Sequence, residues 1–180
     1  MRSSTKRLIT FAALATVAAA LTGLAARSAL AGSVTTVTKT AGAIVNVKAL
    51  GSTGSTTVLG SSGWKDVPGS ATTIAVPAGH KMLVNTRFTA ESACFGTSSI
   101  CPVQVLIGGV AAGPANGSNV DFDSSEGGTE TSGSWESHSI DRSLILGPGT
   151  YPVKVQMLAF AGATFQIKGW TLTLTKAVVA

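Results

Sequence analysis

The sequence predicts an all-β fold: an antiparallel two-sheet β-sandwich, jelly-roll-like, of about 8–10 strands. Three observations carry that expectation. Short runs of Val, Ile, Thr and aromatic residues alternate in polarity with a period of two. Gly, Ser, Thr and Pro interrupt the chain too often for the i, i+3, i+4 spacing of an amphipathic helix. The chain has 180 residues, 44% of them hydrophobic and 12% charged. That is enough for one buried core and the wrong balance for a wholly disordered chain.

Residues 1–31 read as a secretory signal peptide. Arg2, Lys6 and Arg7 form a positive start, residues 8–26 are uncharged and rich in Ala and Leu, and Ala29-Leu30-Ala31 places small residues before a cleavage point at Gly32. An uncleaved membrane anchor is the weaker alternative, because the apolar run approaches the length that spans a bilayer. Cleavage leaves 32–180 as a single domain, secreted and without membrane attachment. It also changes the electrostatics. The whole chain carries a formal net charge of +5. Four of its 13 basic residues lie in the leader, so nine bases then face eight acids. A nearly neutral domain without a basic run gives no footing for nucleic acid.

Weak strands are expected at residues 36–38 and 43–50. The Gly/Ser/Thr-rich stretch 51–63 reads as a loop region or a weak strand pair, with 56–59 the strand-like part. Residues 64–67 and 72–76 follow, separated by Pro68-Gly69. The strongest signal is residues 81–91, where Met82, Val84, Thr86, Phe88 and Ala90 share one face. Val103, Val105 and Ile107 alternate likewise, as do Tyr151, Val153, Val155 and Met157. A weaker strand is expected at 134–146. In the last strand Phe165 and Ile167 have one parity, and Trp170, Leu172 and Leu174 the other. A bulge at Lys168-Gly169 would turn both sets inward. The short connections Pro77-Ala78-Gly79 and Gly147-Pro148-Gly149 favour antiparallel neighbours, so the last three long strands are expected to form a meander.

Cys94 and Cys101 are the only cysteines. In an exported chain an even pair reads as a disulfide, and their spacing fits neither a redox nor a zinc motif. Six of the eight acids lie between residues 121 and 141. Asp121, Asp123 and Glu126, read as loop residues, could offer hard oxygen ligands to Ca2+, although the EF-hand pattern is broken. A solvated acidic loop is the plainer reading, and no other cofactor is expected.

The segment from Trp135 to Arg142 holds Glu136, His138 and Asp141 beside several serines. On a strand Glu136, His138, Ile140 and Arg142 share one face and Ser137, Ser139 and Asp141 the other, so local residues build no triad. Nor is there a Gly-x-Ser-x-Gly elbow. A hydrolase is therefore a remote alternative. A polar cross-strand ladder is the simpler expectation, with Arg87 or Arg142 paired to Glu91 or Glu136. Trp64 and Trp135, flanked by Gly and Ser, are candidate stacking surfaces for a saccharide, whereas Trp170 shares parity with core leucines. Asn116-Gly117-Ser118 matches a glycosylation acceptor, and its Asn-Gly turn explains it equally well.

Several of these segments together resemble a group of secreted actinobacterial β-sandwich proteins. They are Val76-Pro77-Ala78-Gly79, the run from Arg87 to Cys94, Cys101, Phe122-Asp123-Ser124, Trp135-Glu136-Ser137-His138 and Asp141-Arg142-Ser143. The resemblance covers most of residues 51–175. It implies export and a sandwich fold and brings no activity or ligand. The expectation is a secreted, non-catalytic binding module for an extracellular ligand. Candidate contacts are Trp64, Trp135, Arg87, Glu91, Glu136, His138 and Arg142. A self-associating structural jelly roll, a homo-oligomer, is the alternative.

Overall fold

The computed structural model describes residues 35–37, 44–60, 63–114, 121–131, 133–160 and 162–179. The leader segment 1–31 and the Asn116 acceptor lie outside the described residues. Among the described residues there are twelve strands: β1 (Thr35–Val37), β2 (Ile44–Ser52), β3 (Thr56–Leu59), β4 (Lys65–Asp66), β5 (Thr72–Val76), β6 (Lys81–Phe95), β7 (Ile100–Ile107), β8 (Val110–Ala111), β9 (Asp121–Ser124), β10 (Glu136–Leu146), β11 (Gly149–Met157) and β12 (Thr164–Val179). They form two antiparallel sheets. Sheet I has the order β1-β2-β12-β6-β10, with β3 also on β12; sheet II has β4-β11-β7-β8, with β5 on β11 and β9 on β7. The described residues contain no helix, and none long and apolar enough to cross a membrane.

The period-two reading holds where it was strongest. Along β6, Met82, Val84, Phe88 and Ala90 are buried while Lys81, Asn85, Arg87 and Glu91 are exposed. They meet Val103, Val105, Ile107, Val153, Val155 and Met157 from sheet II in one core. The parity change in β12 is a real irregularity: pairing with β6 shifts between Lys168 and Thr171. Gly169 sits there at φ +55°, a left-handed conformation that L side chains adopt only at a cost. The shift turns Phe165 and Ile167 inward as well as Trp170, Leu172 and Leu174.

Five expectations are corrected. The last three long strands are not a meander: β10 lies beside β6 and β12 beside β6 and β2 in sheet I, while β11 lies in sheet II. Similarly, Pro77-Ala78-Gly79 leads from β5 in sheet II to β6 in sheet I. A short turn can cross the sandwich as readily as fold back within one sheet. Three Cα steps span about 10 Å, the same as the distance between packed sheets. Within 51–63 the expected strand at 56–59 is present as β3, but among the described residues there is no strand pair: β2 ends at Ser52, and β2 and β3 each pair with β12 rather than with one another. The strand expected at 64–67 shrinks to Lys65–Asp66. Lastly, β8 and β9 are additional strands, too short to show any alternation.

Sheet II's edge strand β5 is guarded from sheet I. Lys176 Nζ donates to Ala75 O at 2.6 Å, and Lys48 reaches Thr72 Oγ1 and Thr73 O. Lysines over the polar groups of an edge strand discourage pairing with another chain.

Candidate functional site

The candidate residues separate into an inter-sheet cluster and an outer face. The cluster lies beside the disulfide, whose existence the cysteine count predicted. Cys94 on β6 and Cys101 on β7 are bonded and fully buried, with Cα atoms 5.9 Å apart. Because β6 belongs to sheet I and β7 to sheet II, the bond ties the two layers. Cys101 pairs with Asp123 on β9. Asp121 and Asp123 therefore stand on a strand, which corrects the acidic-loop reading. Only Asp121 faces solvent; the Asp123 side chain turns into the sandwich.

Asp123 is fully engaged. Its Oδ1 accepts the Ser124 N–H at 2.7 Å and its Oδ2 accepts the Ser92 hydroxyl at 2.6 Å. Ser92 in turn lies 2.9 Å from His138 Nδ1. The single Ser92 hydrogen points at Asp123 Oδ2. Because that one hydrogen is already used, the contact with His138 requires the imidazole hydrogen on Nδ1, which donates to Ser92 Oγ. Nε2 faces Glu136 Oε2 at 3.4 Å, and the imidazole packs edge-on to Phe122, with ring centroids 5.6 Å apart. Ser92, His138 and a carboxylate thus come together across three strands, although the sequence segment alone built no triad. The arrangement is nevertheless turned away from nucleophilic chemistry. Ser92 is completely buried, and its proton is directed to Asp123 rather than to an imidazole poised to remove it. It works as a polar clasp between β6, β10 and β9. Asp123→Asn keeps the shape but loses one strong acceptor. It should cost about 1 kcal/mol in a urea unfolding experiment; unchanged stability would remove the clasp.

Glu130 adds a third acid near this end. Burial of its carboxyl, followed by the charge of Asp123, pushes its pKa above the ordinary glutamate range, and its buried Oε2 has no hydrogen-bond partner among the described residues. Among the described residues, no three His, Cys, Asp or Glu side chains are grouped to hold a metal ion. Asp121, Asp123 and Glu126 are accordingly not gathered around a Ca2+ position. Glu126 stands in the turn after β9 at φ +44°.

The second group lies on the outer face of sheet I. The expected charge ladder exists with different partners. Arg87 pairs with Asp141, directly opposite on β10, through Nε–Oδ1 at 2.8 Å and Nη2–Oδ2 at 3.2 Å. Glu91 pairs with Lys168 of β12 at 3.1 Å. Lys168 Nζ also sits 3.9 Å from the Trp135 ring centroid, a cation–π contact that holds this half-buried indole. Arg142 is not part of the ladder: it faces inward, 9% exposed, and its Nη1 donates to Asp141 O at 2.7 Å. Burial pulls its pKa downward. Trp64 is half-buried in the turn just ahead of β4, a strand of sheet II. So Arg87, Glu91 and Trp135 share one face, Glu136 and His138 belong with the clasp, and the proposed set does not converge.

Four successive rows across β12, β6 and β10 carry only polar outward side chains. The first row is Lys168, Glu91 and Ser137, followed by Thr171, Thr89 and Ser139. The next are Thr173, Arg87 and Asp141, then Thr175, Asn85 and Ser143. A depression of about 300 Å³ opens in the last two rows, lined by Asn85, Thr86, Arg87, Asp141, Thr173 and Thr175. The row beyond is apolar, with Ala177, Leu83 and Ile145, the last 59% exposed. A wider hollow of about 500 Å³ lies by the disulfide loop, lined by Ser98, Ser99, Ile100 and Phe160.

No protein-family model matches the chain, and no curated protein matches it either.

Proposed function

We propose that the protein is an exported, non-catalytic binding module that contacts an extracellular ligand or surface through the outer face of sheet I. The observation that carries this reading is the depression around the Arg87–Asp141 pair. It gathers paired donors and acceptors with two threonine hydroxyls and an amide, all on rigid strands rather than loops. The Ser92–His138–Asp123 group supports the non-catalytic half, because its serine is sealed in the core. Export rests on the leader-like first 31 residues and fits a buried disulfide.

Co-sedimentation of the mature protein with cell-wall fragments of the producing organism tests the reading. Wild type is expected to sediment with the fragments. Arg87→Ala combined with Asp141→Ala should bind at least tenfold more weakly and keep its melting temperature, because both side chains are well exposed. Equal sedimentation of variant and wild type would overturn the assignment of the face.

A second reading, self-association, has its own observation: exposed Ile145 beside Leu83 and Ala177 at the end of that face. It expects an oligomer in size-exclusion chromatography that Ile145→Asp converts to monomer.

A further inference from the structure

We infer that the ligand of this face is a neutral, polyhydroxylated chain, a glycan without acidic groups, that lies along the strands from the Arg87–Asp141 depression towards Trp135. The inference rests on the proposed binding role of the face and names its ligand class.

The depression is balanced in charge, since it holds one guanidinium and one carboxylate joined by two hydrogen bonds. An anionic ligand would meet Asp141 and a cationic one Arg87, each at the expense of the pair. A neutral diol needs neither removed. One hydroxyl can donate to a free lone pair of Asp141 while its neighbour accepts from an uncommitted N–H of Arg87. Asn85 offers both a donor and an acceptor at the same hollow, and Thr173 and Thr175 add two hydroxyls from the adjacent strand. The lining has no aliphatic or aromatic side chain larger than threonine. An acyl chain or an apolar peptide would therefore leave these polar groups unpaired, which costs affinity.

The extent of the polar rows argues for a chain rather than a single ring. From the row of Ser143 to the row of Ser137 is six residues along β10, about 20 Å at strand rise. Every outward side chain between is a hydroxyl, an amide or a member of an ion pair. At the far end the Trp135 indole, fixed by Lys168, supplies the one aromatic group of the tract. The strip thus offers hydrogen-bonding groups at repeated intervals of about 7 Å, two residues of strand. A polymer of hydroxylated rings can follow such a track, whereas an isolated small molecule would use only one end.

Native affinity electrophoresis tests this. Gels would contain dextran, galactomannan or xylan as neutral probes, and polygalacturonate or alginate as anionic ones. At least one neutral polysaccharide is expected to retard the mature protein. Retardation should fall at least tenfold in Arg87→Lys, which keeps the charge but loses the two-point geometry, and in Asn85→Ala. Trp135→Ala should weaken binding of the polymer more than of a disaccharide of the same sugar. Retardation by the anionic probes alone would overturn the inference. So would the absence of retardation by all three neutral ones, or retardation unaffected by Arg87→Lys and Asn85→Ala. These failures are distinct from failure of the binding reading. If cell-wall co-sedimentation still requires Arg87 and Asp141, the face binds and only its ligand class is wrong. If co-sedimentation ignores both residues, the face itself is wrong.

Discussion

Phe88→Ala is expected to lower the unfolding free energy by about 3–5 kcal/mol, the range for truncating a fully buried aromatic. Phe88 is 0% exposed at the centre of β6, the strand paired on both sides, by β12 and β10. Its ring lies 5.7 Å from that of Phe122 and 6.1 Å from that of Trp170. Phe122 comes from β9 in sheet II, so Phe88 helps to join the layers and does not merely fill one of them. Neighbouring backbone in both sheets is held by continuous ladders, so the site cannot collapse around the missing ring, and most of the cavity should persist. Asn85→Ala, three residues away and exposed, should change stability by less than about 0.5 kcal/mol. Urea unfolding of the two variants measures the contrast. A loss near 1 kcal/mol for Phe88→Ala would contradict its position between the sheets.

That contrast depends on a pattern readable from the sequence. Alternation is local, because successive side chains on a strand point to opposite faces. The inward sets of β6, β7, β11 and β12 were therefore legible without any pairing information. So was the parity change at Lys168-Gly169, since only an irregularity can keep Phe165 and Leu172 in the same core. Which sheet each strand joins was not legible. Gly147-Pro148 says that the chain turns, but not whether it turns within a layer or across the gap, as both distances are reachable.

The candidate site divides along the same line. The facing of Asp141 away from His138 and Arg142 followed from period two. The partner of Arg87 did not, because it requires the register that sets Asp141 opposite Arg87 and Lys168 opposite Glu91. Ser92 does not stand out as a site residue in the sequence, yet a signal is present. Extending the inward parity of residues 82–90 by one step puts a serine at a core position, and a buried hydroxyl requires a partner. Its partners come from two other strands, His138 on β10 and Asp123 on β9, and β9 is too short to be recognised by alternation.

Replacing both cysteines, as Cys94→Ala with Cys101→Ala, should cost about 2.5 kcal/mol, the chain-entropy value for a closed loop spanning residues 94–101. The loop is short, which limits the entropic effect, but the bond's position adds a second consequence. It joins the end of β6 in sheet I to the start of β7 in sheet II. Ser92 lies two residues before Cys94, and Asp123 is the ladder partner of Cys101. Loss of the bond therefore removes the covalent half of an edge whose other half is the Ser92–Asp123 hydrogen bond. Amide hydrogen exchange should rise first at residues 92–101 and 121–124, while the centres of β6 and β12 remain protected. Both sulfur atoms belong to residues with no exposed surface, so thiol reagents should reach the native protein only as fast as that edge opens. In wild type, a reductant without denaturant should leave the bond intact over times that suffice to reduce it in urea. Rapid reduction of the native protein, or a stability loss well below 1 kcal/mol in the double variant, would show that the edge is held by other contacts.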